Sequence, residues 1–151
     1  MLLVLGTLLL ATACGGDDDN GGPSPEEKQL TSITKTWALK RATQGLDRTE
    51  EFTDFTLTFS GTYNAAKPKG PYTYTTAGTT PTPSPWRKGT GVWSFGDDAT
   101  TTIVRDDGIA IKYVAEGDNL TLTLTCASCN ATNGRPSSAE GDWTFVFTAA
   151  K

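Results

Sequence analysis

The residues able to do chemistry are few. Histidine is absent, which removes the Ser-His-Asp and Cys-His nucleophile pairs and, with them, the commonest zinc ligand. What remains includes one close cysteine pair, Cys126 and Cys129, the aspartate pairs Asp97/Asp98 and Asp106/Asp107, and a separate Cys14 near the start of the chain. A redox role for Cys126-Ala127-Ser128-Cys129 would need the motif to open a helix after a strand, and a zinc site would need carboxylates as further ligands. The spacing predicts instead a structural disulfide at the mouth of a hairpin loop, worth about 2 kcal/mol for so small a ring; redox and metal roles stand as the alternatives. Each carboxylate pair sits beside glycine, where turns call for Asp and Gly, so turn chemistry accounts for both more cheaply than acid/base catalysis. No loop has EF-hand spacing. The expectation is a chain that is not an enzyme and has no cofactor or metal. Its mild net charge of -4 gives no reason to expect nucleic acid as a partner.

The elements that would position these residues read as strands. Residues 89–125 form a run of short segments ended by acidic turns. Trp93 and Phe95 share a face before Gly96-Asp97-Asp98, and residues 101–105 return to Asp106-Asp107-Gly108. Ile109, Ile111 and Tyr113 then alternate with polar or smaller neighbours, and Leu120, Leu122 and Leu124 alternate with Thr121, Thr123 and Thr125. A period of two with regular turn signals marks antiparallel strands with one wet face. Similar alternation appears at Trp37 and Leu39, at Phe55, Leu57 and Phe59, at Tyr72 and Tyr74, and at Trp143, Phe145 and Phe147. Helix formers in residues 26–34 suggest a short lead-in helix, and residues 44–51 a loop or single helical turn. Residues 77–85, with prolines at alternate positions, cannot sustain a ladder and read as an extended loop. That loop delivers Trp86, Arg87 and Lys88. An aromatic face beside cations suits stacking on a sugar or a partner side chain, and the competing expectation is a tryptophan folded over the end of the fold.

The front end reads as an address. An apolar run over residues 2–10 has signal-peptide length and is too short to span a bilayer. With Ala11-Thr12-Ala13 before Cys14 it resembles a bacterial lipoprotein signal, with alanine at a position usually branched and no Lys or Arg ahead of the run. The resemblance implies cleavage before Cys14 and diacylglyceryl transfer to its thiol; an ordinary secretory signal is the alternative. The following acidic, Gly- and Pro-rich residues cannot bury apolar surface and read as a disordered tether. They also resemble the surface-export signal of Bacteroidetes lipoproteins.

Further along, Thr36-Trp37-Ala38-Leu39, the Phe59–Tyr63 strand end, Gly91-Val92-Trp93-Ser94-Phe95 before an Asp-rich turn, and a closing aromatic strand together resemble the lipocalin-like lipoproteins of Bacteroidetes, with Lys35 where that family usually has glycine. The resemblance implies an all-β, antiparallel up-and-down meander of about eight strands closing into a barrel. The domains expected are a signal peptide at 1–13, the lipidated cysteine and tether at 14–30, and the barrel at 31–151. Such a barrel either holds one small ligand or is filled by its own side chains. The first case predicts a small apolar or amphipathic ligand held by Trp37, Phe59, Trp93, Tyr113 and Trp143. The second predicts a module that docks a surface protein or glycan through its loops, with Trp86, Arg87 and Lys88 as the candidate contact. Either way the expected location is the outer membrane, lipid-anchored and exposed on the cell surface, with a periplasm-facing orientation as the alternative.

Overall fold

The computed structural model describes residues 21–127, 129 and 138–151. Cys14, the residues expected to form a signal, the first of those expected to form a tether, and most of the loop after Cys129 lie outside the described residues. The strands are β1 Thr36–Gln44, β2 Leu46–Asp47, β3 Thr56–Ser60, β4 Tyr72–Ala77, β5 Gly89–Phe95, β6 Thr102–Arg105, β7 Ala110–Glu116, β8 Asn119–Cys126 and β9 Gly141–Ala149. β3 to β9 pair in chain order, each antiparallel to the last, and β1 pairs with both β3 and β9. The result is a closed eight-stranded up-and-down barrel, with the two-residue β2 folded against the end of β1. Closure leaves no long sheet edge to be protected.

Side-chain alternation explains why these strands share one core. Tyr72, Tyr74 and Thr76 are buried on β4, Leu120, Leu122, Leu124 and Cys126 on β8, and Trp143, Phe145 and Phe147 on β9, with exposed or half-buried residues between them. On β1 the alternation changes phase. Leu39 pairs with Phe147 and Arg41 with Val146, so Lys40 is an extra residue, as in a β-bulge. Trp37 faces in before it and Ala42 after it, while Leu39, expected inside, is only half-buried. Ile109, also expected inside, lies before β7 begins and is likewise half-buried.

A helix seals one end. α1, Pro25–Ile33, starts at Ser24, whose Oγ accepts the Glu27 N–H at 3.2 Å, with proline at its first position and Glu26 and Glu27 in its first turn. All three features favour a helix N-terminus. Leu30 and Ile33 are its buried residues. The Ile33 carbonyl accepts the Trp37 indole N–H at 2.9 Å, and the Tyr113 hydroxyl meets the Gln29 side chain at 3.0 Å and the Ala99 carbonyl. Residues 25–33 thus form the cap of the barrel, because a single i, i+3 apolar pair in a polar segment is enough to dock a short helix. This is the helix end; the turns after β1, β4, β6 and β8 gather at the opposite, loop end.

Candidate functional site at the loop end of the barrel

The ligand candidates do not converge on one cavity. Phe59 and Trp93 touch edge to face, with ring centroids 5.4 Å apart, in the helix half of the barrel. Tyr113 and Trp37 bond to the capping helix, as above. Trp143 lies at the loop end, stacked on Phe145 at 5.4 Å, with the Arg48 guanidinium 5.0 Å from its ring centre. All five are buried. The Trp37, Trp93 and Trp143 indole N–H groups donate to the carbonyls of Ile33, Thr73 and Ala139 at 2.9, 2.9 and 2.8 Å. A buried donor satisfied by backbone is the arrangement of a packed core. Burial also pushes the Tyr113 hydroxyl pKa well above its ordinary value.

The loop end is built differently. The segment from Gly78 to Pro85 leaves β4 and folds inward, burying Thr80 and Ser84, and it places Trp86 inside the mouth. Trp86 is 2% exposed and meets Phe145, Tyr74 and Phe55 at centroid distances of 5.7, 6.1 and 6.3 Å. Of the two expectations for Trp86, exposed for stacking or folded over the end of the fold, the structure shows the buried one. Its ring fills the space between β3, β4 and β9, where it removes a large apolar area from water. Arg87 and Lys88 remain exposed, so the three residues do not form one outward patch.

Arg105 is the residue that the sequence reading passed over. It is 4% exposed at an inward position of β6, two after the buried Ile103. Its Nε donates to Asp107 Oδ1 at 3.1 Å, its Nη2 to Asp107 Oδ2, and its Nη1 to the Pro85 carbonyl at 2.6 Å. Its Cζ stands 5.3 Å from the Trp86 ring centre. From outside, Arg87 reaches Asp106 at 3.4 Å and Asp107 at 3.5 Å. Charges of alternating sign thus run from core to surface. The available signal was alternation itself: Ile103 in implies Arg105 in, and a buried guanidinium needs a carboxylate such as the one two residues on.

The same wiring accounts for the carboxylate pairs. Partial burial works against ionisation of Asp107, but the hydrogen bonds and charge of Arg105, the Ile109 N–H and Arg87 outweigh it and hold its pKa below the usual carboxylate value. A depressed native pKa stabilises the fold above the unfolded value, near 3.9, and that contribution is lost as pH falls through the native value. Urea midpoints should therefore be flat near neutrality and drop below about pH 4, with a shallower drop in Asp107→Ala. Asp98 accepts from the Thr100 N–H at 2.9 Å and from the Thr100 and Thr101 hydroxyls at 2.6 and 3.0 Å, as a turn residue does.

Tyr74, opposite Gly91 in the ladder, lies across that glycine, where any Cβ would collide with its ring and hydroxyl. Burial raises its hydroxyl pKa. Outside this cluster a groove of about 840 Å³ runs along the rim, lined by Arg87, Arg105, Asp107, Lys112, Asp142 and the threonines of β6 and β8. Cys126 and Cys129 lie at its edge, joined as a disulfide with Cα atoms 5.5 Å apart, within the ordinary range for such a bond. No protein-family model, curated protein or solved structure matches the chain.

Proposed function

We propose that this chain is a lipid-anchored, non-enzymatic recognition module of the bacterial outer membrane, exposed on the cell surface, whose barrel is a filled scaffold and whose loop end is the binding face. The observation that carries this reading is the interior itself. Rings from β1, β3, β4, β5 and β9 occupy it, and the indole donors of Trp37, Trp93 and Trp143 already bond to carbonyls. A deep apolar ligand would have to displace that packing, so recognition by loops is favoured over uptake into the barrel. The likeness of the N-terminus to lipoprotein signals and of the strand motifs to lipocalin-like lipoproteins supplies the anchor at Cys14.

The anchor also gives the domain a direction. Ten residues separate Cys14 from Pro25, a length of chain that reaches at most about 35 Å. The nine residues of β9 extend about 30 Å. The helix end then stays near the membrane and the groove faces away from it.

The test is metabolic labelling with an alkyne fatty acid in a lipoprotein-processing host. Label should enter the wild-type chain and be absent from Cys14→Ala, which should move to the soluble fraction. An unlabelled, soluble wild-type chain would sink the anchor, and intact cells whose loop end resists added protease would sink the surface assignment.

A further inference from the structure

The loop-end groove carries a positive charge that its own walls do not balance. Among the described residues three cations line it, Arg87, Arg105 and Lys112, against two carboxylates, Asp107 and Asp142. Three against two leaves one positive charge over, in a chain whose net charge is -4. Asp107 is already claimed, since Arg105 donates to both its oxygens and Arg87 reaches it from outside at 3.5 Å. Asp142 accepts from the Thr125 hydroxyl at 2.6 Å. Lys112 is exposed and joins none of the ion pairs among the described residues.

The register of the sheet sets this lysine among hydroxyls. Lys112 of β7 lies directly opposite Thr102 of β6 on one side and Thr123 of β8 on the other. Residues opposite one another in a ladder share a face, and all three line the groove. An ammonium only donates, whereas a threonine hydroxyl both donates and accepts, so the row suits a ligand that has an anionic group and hydroxyls of its own. Arg87 can assist. Its contacts to Asp106 and Asp107, at 3.4 and 3.5 Å, are longer than the roughly 2.7–2.9 Å of a strong charged bond. A carboxylate carries the one negative charge that cancels the excess. A phosphate monoester carries nearer two at neutral pH and would add repulsion from Asp107 and Asp142. The groove volume, about 840 Å³, falls within the usual range of about 300–1,000 Å³ for small-molecule sites and leaves room for far more than a bare carboxylate. We propose that the loop-end groove binds a hydroxylated monocarboxylate, the uronate unit of an acidic glycan, with the carboxylate on Lys112 and ring hydroxyls on Thr102 and Thr123. This rests on the reading of the loop end as the binding face and names what that face takes.

The experiment uses the full chain in detergent micelles and follows backbone amide shifts by NMR during separate titrations with glucuronate, glucose, acetate and glucose 6-phosphate. Glucuronate should move the amides around Lys112 and Thr123 saturably in the millimolar range, and less tightly as salt is raised. Glucose has a hydroxymethyl group in place of the carboxylate, and acetate lacks the hydroxyls; each should bind at least about 3-fold more weakly, as should the phosphate. Lys112→Met keeps the aliphatic stem and should weaken glucuronate about 3- to 10-fold, while Lys112→Arg keeps the charge and should recover most of that loss. Lys67→Met, an exposed lysine in the turn after β3 at the helix end, should bind as wild type does. All three changes are at exposed positions, so melting temperatures should barely move. The inference is overturned if glucuronate does not bind in that range, if glucose, acetate or the phosphate binds as tightly, if Lys112→Met binds as wild type does, or if Lys67→Met weakens binding as much as Lys112→Met. Protease access on intact cells is scored separately. An exposed loop end that ignores glucuronate loses this inference and keeps the surface reading, whereas a shielded one that binds it keeps the groove and loses the surface.

Discussion

Replacing Trp86 by alanine is expected to destabilise the domain by about 3–5 kcal/mol, the range for emptying a large aromatic site in a core. For a domain of this size that corresponds to a fall in melting temperature on the order of 10–20 °C. An exposed recognition residue would instead change stability by no more than about 0.5 kcal/mol. The large value follows from what the indole touches. Tyr74 and Phe145 lie on β4 and β9 and Phe55 immediately precedes β3, and the Arg105 guanidinium covers one ring face. Removing the ring opens a cavity that these strands, held by their ladders, cannot close. Trp86→Phe should recover about half or more of the loss, because it restores most of the volume and also deletes the unpaired N–H. Differential scanning calorimetry on the three chains checks the order wild type, Phe, Ala; an alanine variant as stable as wild type would show that the ring is not part of the core.

The second large effect is an asymmetry across the Arg105–Asp107 pair. Breaking a buried pair by removing one partner typically costs about 3–5 kcal/mol, because the other charge is left uncompensated. Arg105 is 4% exposed, so Asp107→Ala strands a desolvated guanidinium with the Pro85 carbonyl alone and should fall in that range. Arg105→Met keeps the side-chain bulk over Trp86 and leaves Asp107 near the rim, where Arg87 still faces it. That change should cost about 1–2 kcal/mol. The double variant should lose less than the sum of the singles by about 1–3 kcal/mol. Urea midpoints at constant m measure all three. Equal costs for the two single changes would mean that the guanidinium is not desolvated. The acid limb of stability predicted for Asp107 is the same interaction approached by protonation instead of mutation.

Much of the barrel was legible in the chain because strand alternation is local. Leu120, Leu122 and Leu124 against threonines, or Trp143, Phe145 and Phe147 against Thr144 and Val146, assign their own faces wherever the strand ends up. The acidic glycine turns announce themselves in the same way: Gly108 at φ +83° and Gly117 at φ +58° adopt the backbone conformation that L side chains resist. The cysteine pair was readable from its separation. Failures of that reading fall where the local rule is interrupted. The extra residue at Lys40 shifts the phase of β1, and Ile109 sits one residue before its strand begins.

The site was less legible, for a reason that Trp86 and Arg105 share. Trp86 leaves a proline loop with no periodicity to assign its side, so its fate depended on whether the mouth of the barrel had room for an indole. That room exists only once β3, β4 and β9 have met, and they come from distant parts of the chain. Arg105 carries a charge that alternation alone places inside at prohibitive desolvation cost. It becomes acceptable there because the turn folds Asp107 back onto it and the proline loop brings the Pro85 carbonyl within 2.6 Å. The sequence by itself determined the strands, their faces and their turns, since these follow from side-chain spacing and backbone preference. Only the tertiary structure decided what fills the two ends of the barrel, because burial of a ring or a charge is settled by partners that the chain brings together last.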